Sequence, residues 1–224
     1  MDFVTHLKGL ARPILEAQLK HPFVKGVGQG NLEEEKFKYW VKQDYLFLIE
    51  YARLLALAVA RAPTLPLMSK FSHLLYETLY TEMALHRSYA SEWGISKEEL
   101  LQEKKSPTTE AYTSFLLKTA ALGDFAELMA SLIPCMWSFS EIGQALLRAG
   151  KPEHRLYAKF IDIYGSEEFK ELANWSLEVL AEITRGFPEE ELKIVEETFL
   201  TSVRYEYLFW DMAYRMEKTL LTIS

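Results

Sequence analysis

Between Asn31 and Ala62 the chain has neither glycine nor proline, and from Glu189 to Ser224 it again has neither. Runs of that length, with apolar residues three and four apart, fit the period of a helix and not the alternation of a half-buried strand. The same period recurs along the rest of the chain. Phe3, Leu7, Leu10, Ile14 and Leu15 make one stripe of a first helix over about residues 2 to 20, ended by a loop from His21 and Pro22 to Gly30 that carries three glycines. Asn31 stands as N-cap of a second helix, with Glu34 three residues on in a capping-box pattern, and that helix runs to about Ala62, before Pro63 and Pro66. A long third helix extends to Trp93, and a charged loop covers about 96 to 105. Further helices fall at about 108 to 121, 125 to 149, 153 to 163, 167 to 185 and 189 to 221, with Gly123, Gly150, Gly165 and Gly186 at the breaks. No linker or repeat divides the series. The sequence predicts one all-α bundle domain over residues 1–224, a form that builds ligand sites in its core from side chains on facing helices.

Composition narrows the partners. Hydrophobic residues make up 49% of the 224, enough for a substantial core. The net charge is −7 and no lysine and arginine cluster neutralises phosphate, which argues against nucleic acid. There is no basic and then apolar leader, and no charge-free run of the roughly 18 residues that span a bilayer. The expectation is a cytoplasmic protein with no membrane partner, and a single unpaired cysteine agrees with a reducing compartment.

That cysteine, Cys135, follows Pro134 in the run Leu132, Ile133, Pro134, Cys135, Met136, Trp137, Ser138, Phe139. A proline inside a helix removes a backbone donor and presses on the carbonyl of Ala130, which predicts a kink beside the sulfur. Two readings stand: a small buried hydrophobe, or a nucleophile. On the second helix Asp44, Phe47 and Tyr51 share a face with Trp40, Leu48, Leu54 and Leu55 nearby. A carboxylate there either touches a cation, Arg53 or Lys42, or awaits a ligand donor. Near the end of the chain Glu206, Phe209 and Trp210 also share a face, so that aromatic rings desolvate an acid suited to moving protons; the alternative is an ion pair with Arg204 or Arg215. Tyr112 opens one helix and Tyr164 closes another, and position alone singles out neither among 12 tyrosines. Metal chemistry fits poorly. A carboxylate-bridged di-iron bundle needs two Glu-x-x-His pairs, whereas Glu82 and His86 are spaced by four and unrepeated. A haem would need an axial histidine, but His21 sits in the predicted loop, His6 is near-terminal, and His73 and His86 read as packing residues.

Taken together, these residues resemble the TenA family, also called thiaminase II or aminopyrimidine aminohydrolase, in its cysteine-containing subfamily. The resemblance spans essentially the whole chain. It rests on Asp44 with Tyr51 seven residues later, on Cys135, on Tyr164 in Tyr-Gly-Ser-Glu-Glu-Phe, and on the closing Glu-x-x-Phe-Trp-Asp-Met-Ala of Glu206 to Ala213. It implies a haem oxygenase-like all-α fold, a homotetramer and no cofactor or metal. The implied activity is hydrolysis of an amino group, or of thiamine's thiazolium, from the methylene carbon of an aminopyrimidine in thiamine salvage.

In that chemistry Asp44 accepts from the exocyclic amine and a ring nitrogen, while Tyr51, Phe47 and Phe209 or Trp210 sandwich the flat ring. Cys135 is the nucleophile by resemblance, adding to the ring carbon beside the methylene. Glu206 protonates the departing amine and then activates water, and Tyr164 and Tyr112 position the acid and the thiol. The chain departs from the family at Phe47 and Phe139, pocket positions where well-marked members carry tyrosine. The stacking surface survives the change but two hydroxyls do not, which keeps a non-catalytic pyrimidine-binding or regulatory protein of the same fold as the alternative.

Overall fold

The computed structural model describes residues 2–218, and among them every regular element is helical. Eleven α-helices are labelled in chain order: α1 Phe3–Lys20, α2 Pro22–Gln29, α3 Glu34–Arg61, α4 Leu65–Glu77, α5 Met83–Glu92, α6 Lys97–Gln102, α7 Pro107–Leu122, α8 Phe125–Ala149, α9 Arg155–Tyr164, α10 Glu167–Ile183 and α11 Glu189–Arg215. A π-helical turn, Thr78–Glu82, joins α4 to α5. The chain divides into two units. One takes the residues up to Glu33 and Ala126–Asp211, and the other takes Glu34–Phe125 and the chain from Met212.

The first unit holds α1, α2, α8, α9, α10 and most of α11. The stretch expected to be a loop after His21 is the helix α2. Pro22 sits at its first position, where a missing N–H is harmless, and His21 Nδ1 accepts from the Phe23 amide. Gly30 closes it in the left-handed region at φ 75°. Phe23, Val24 and Val27 supply the buried face that a short, glycine-rich segment hides from a periodicity count. Asn31 therefore caps no helix. Its amide and that of Leu32 donate to the Gly26 carbonyl and finish α2, and α3 begins at Glu34.

The middle of this unit is a crossing without side chains. Gly143 on α8 lies against the carbonyl group of Tyr164, and a Cβ on Gly165 would come within 2.8 Å of the Gly143 oxygen. Gln144 Nε2 clamps the contact by donating to the Gly165 carbonyl at 2.6 Å. Tyr164 is thereby set against α8. Helix α8 runs unbroken through Pro134, which leaves the Ala130 carbonyl without its usual i+4 donor.

The second unit is organised on α3, which packs against α4, α5 and α7. Arg61, in its last turn, donates to the carbonyls of Ala120 and Gly123 and so closes the C-terminus of α7 with a cation. Gln43 does the same for the opposite end. Its Oε1 accepts from the Ser106 amide and the Thr109 hydroxyl, and its Nε2 donates to the Lys104 carbonyl. Within the expected 96 to 105 loop lies the short α6, nucleated by a capping box between Ser96 and Glu99. The last helix stops at Arg215, short of the expected end, and positions 219–221 of that expectation lie outside the described residues.

Because the Gly143 contact is backbone against backbone, no rotamer can relieve an added methyl. Gly143→Ala should lower stability by at least about 2 kcal/mol, read from chemical denaturation, while Gly9→Ala, whose Cβ meets nothing within 4 Å, should not.

Candidate active site

Each set of residues singled out from the sequence assembles within its own unit. On α3, Asp44, Phe47 and Tyr51 are buried on one face, at 6%, 3% and 5% exposure. The rings of Phe47 and Tyr51 stack with centroids 5.8 Å apart and planes 21° from parallel. Tyr112, from α7, lies on the other side of Phe47 at 5.1 Å. This arrangement gives a wall of aromatic surface beside a carboxylate.

The partner of Asp44 is neither cation the sequence offered. Lys42 is engaged with Glu103 at 2.7 Å and Arg53 with Glu50 at 2.5 Å, both on the outside of α3. Instead Asp44 Oδ2 lies 2.6 Å from Nε2 of His86, a histidine with no exposure at all. The other ring nitrogen, Nδ1, is 3.0 Å from the carbonyl of Glu82. Burial pushes the imidazole toward its neutral form, but the Asp44 carboxylate beside it, with Glu82 adding, outweighs burial and holds it above its ordinary value of 6.5. Sequence reasoning read His86 as a hydrogen-bonded packing residue and did not name its partner. The available signal was its place on the apolar stripe of Met83, His86 and Ala90, where a histidine needs a polar partner and Asp44 needs a cation.

In the first unit, every residue from Leu128 to Ser140 on α8 is buried except one, Cys135, which keeps partial exposure. A free cysteine is ordinarily among the most buried residues; here Cys135 is the one residue of that stretch with partial exposure. Glu206 on α11 is 2% exposed. Three contacts join α11 to α8: Ser202 Oγ donates to the Ser131 carbonyl at 2.7 Å, the Trp137 and Phe199 rings lie 5.8 Å apart, and the Phe139 and Trp210 rings lie 4.8 Å apart. Tyr164 completes the group, edge-on to Phe139 at 4.9 Å. Phe209 is buried at 3%. Trp210 is fully enclosed by Phe23, Phe139 and Phe160, and its indole N–H donates to Gln18 Oε1 at 3.3 Å.

Glu82 offers His86 its main-chain carbonyl, His21 serves as the N-cap of α2, and His6 Nε2 is 2.7 Å from Glu196. Among the described residues no group of three or more histidine, cysteine and acidic side chains is placed to hold an ion, and no helix is long and apolar enough to cross a membrane.

Comparison with known proteins places this geometry. The TENA/THI-4/PQQC family pattern matches residues 10–216. The aminopyrimidine aminohydrolase of Halalkalibacterium halodurans is 47% identical over 215 residues, 96% of each chain. That of Bacillus subtilis is 36% identical over 97% of this chain and 92% of its own. Among solved structures, a TenA homologue from P. horikoshii superposes with a TM-score of 0.89 at 25% identity, covering 96% of this chain and 99% of that one. A domain from Shewanella denitrificans with a haem oxygenase-like fold, at TM-score 0.74 and 18% identity over 95% of this chain and 92% of that one, shares the fold alone.

The buried pair makes stability depend on pH in a fixed direction. The folded value of His86 lies above its unfolded one, so its contribution is complete below about pH 6.5 and is lost as pH rises through the folded value. Asp44→Asn should remove that alkaline decline. At neutral pH it should cost about 1 to 3 kcal/mol, no more, because the imidazole can shed its proton once its counter-charge is gone. Urea denaturation midpoints measured from about pH 6 to about pH 9 check both statements, below the range where tyrosines ionise.

Proposed function

Since the chain belongs to the TENA/THI-4/PQQC family, we propose that it is a hydrolase of thiamine salvage that converts 4-amino-5-aminomethyl-2-methylpyrimidine and water into the hydroxymethylpyrimidine and ammonia. The observation that supports the reading is Cys135, which alone keeps partial exposure in the buried stretch from Leu128 to Ser140, on a helix that α11, the helix carrying the buried Glu206, contacts at Ser131 and Phe139. A binding protein has no use for that pairing, whereas addition to an aromatic ring followed by proton transfer needs both.

In this reading the aminopyrimidine lies against the aromatic wall of Phe47 and Tyr51, and Asp44 accepts from its exocyclic amine. The methylene carbon holds its amine firmly while the ring is aromatic. Attack of the Cys135 thiolate on the adjacent ring carbon places an electron pair in the ring, and that pair expels the amine as Glu206 protonates it. Water, deprotonated by the same carboxylate, adds to the exocyclic methylene; the thiolate then leaves and the ring is restored. Tyr164 and Tyr112 hydrogen-bond to hold the acid and the thiol, Phe139 and Phe209 close apolar sides of the site, and Trp210 backs Phe139. Thiamine offers the same methylene with a thiazolium as leaving group and is the second substrate to assay. The reading includes a cytoplasmic homotetramer. In support of assembly, Leu65, Tyr76, Leu79 and Tyr80 are exposed apolar side chains close together in sequence.

Incubating the protein with the aminomethylpyrimidine and with thiamine, and following release of ammonia and hydroxymethylpyrimidine, tests the proposal. Release from neither compound, with binding intact, would favour the non-catalytic alternative. Asp44→Asn should weaken pyrimidine binding by at least about 1.5 kcal/mol in calorimetry. Cys135→Ser and Glu206→Gln should each lower turnover by orders of magnitude with affinity nearly unchanged, and Glu206→Gln should also flatten the pH profile, since an amide exchanges no proton. Parental turnover in Cys135→Ser would sink the covalent route.

A further inference from the structure

A carboxylate that recognises a ligand must keep one oxygen still while it offers the other. Asp44 has the first half of that arrangement already built. Its Oδ2 faces His86 Nε2 at 2.6 Å, while the side chain retains 8% exposure against none for the histidine. His86 in turn cannot rotate away, because Nδ1 is held at 3.0 Å by the Glu82 carbonyl. Trp40 covers the imidazole at 5.6 Å and Tyr89 meets it edge-on at 6.2 Å.

The π turn is what aims this histidine. Before it, the buried stripe runs Phe71, Leu74 and Thr78. A regular helix would continue that stripe through positions 82, 85 and 89; the buried residues after the turn are Met83 and His86, each one later than that, together with Tyr89 and Ala90. A π turn is a one-residue insertion, and each residue is about 100° of rotation. Without the insertion Leu85, not His86, would face α3.

We infer that His86 is the positioning residue of the proposed pyrimidine site: its Nε2 stands against one oxygen of Asp44 and its Nδ1 against the Glu82 carbonyl, so that the other Asp44 oxygen is left for the exocyclic amine. The inference rests on the reading of Asp44 as the ligand acceptor. The charged groups that face His86 are Asp44 from α3 and Glu82 from the π turn, and both favour the protonated ring. As pH rises through the raised value, the imidazole loses its proton and with it the charge that holds the Asp44 oxygen.

The test uses calorimetry with 4-amino-5-hydroxymethyl-2-methylpyrimidine, which is not turned over, on the unaltered protein, His86→Gln, Asp44→Asn and the double variant. His86→Gln should bind about tenfold more weakly or worse, with the loss in turnover assays falling on KM more than on kcat. Followed from about pH 6 to about pH 9, affinity of the unaltered protein should decline as pH rises through the raised value of His86, and His86→Gln should show no such decline. In the Asp44→Asn background His86→Gln should change affinity by less than about twofold, because it has no carboxylate left to hold. A folded His86→Gln that binds at parental affinity across this range overturns the inference. Unchanged affinity in Asp44→Asn overturns the reading beneath it instead. If His86→Gln fails to fold, nitrogen NMR of the unaltered protein decides: two protonated ring nitrogens at neutral pH support the inference, and a neutral ring overturns it.

Discussion

Taking a carboxylate out of water costs several kcal/mol unless a counter-charge and hydrogen-bond donors replace the solvent. In the unit built on α3 that cost falls on Asp44, and the arrangement around it follows from meeting it. His86 has to arrive from α5, its far nitrogen has to be occupied, and the helix carrying it has to be turned by one residue to bring it round. The Gln43 and Arg61 clamps on the two ends of α7 hold Tyr112 at its height beside Phe47. The aromatic wall and the carboxylate are thus presented by one long helix whose neighbours are pinned to it by polar contacts at chosen points, with apolar packing filling the rest.

The other unit solves a different problem, that of keeping a reactive atom accessible inside a helix packed on every side. Bulk around α8 is supplied by Trp137, Phe139 and Phe160, and the close approach of α9 is made where neither chain has a side chain, at Gly143 and Gly165. The approach leaves Tyr164 against Phe139. Ser202 ties α11 to α8 through one hydrogen bond, and the Phe139 and Trp210 rings join the same two helices further along.

Much of this was legible from one sequence because long helices carry long signals. The ranges of α3, α8 and α11 follow from uninterrupted period and from the glycines or prolines at their ends, and Asp44, Tyr51, Cys135 and Glu206 stood out as polar groups on apolar faces. Short helices escaped. α2 has eight residues, three of them among its glycines and terminal proline, and its stabilising features are His21 as a cap and a buried Phe23, neither of which a hydropathy window registers. The Asp44 to His86 pair was out of reach for another reason: it joins residues 42 positions apart, and a register shift of one residue between them decides which side chain faces inward. The exposure of Cys135 is likewise a property of what surrounds α8 and not of its sequence.

Opening the thiol has a redox consequence. A cysteine that keeps partial exposure can meet peroxide, and the first product would be a sulfenic acid on the sulfur. Proteins that tolerate this keep a second cysteine nearby to form a disulfide that reductases can clear. This chain has one cysteine in 224 residues. Recovery then depends on a small thiol diffusing to the same opening, and if it comes late the sulfur passes on to the sulfinic acid, from which no ordinary thiol returns it.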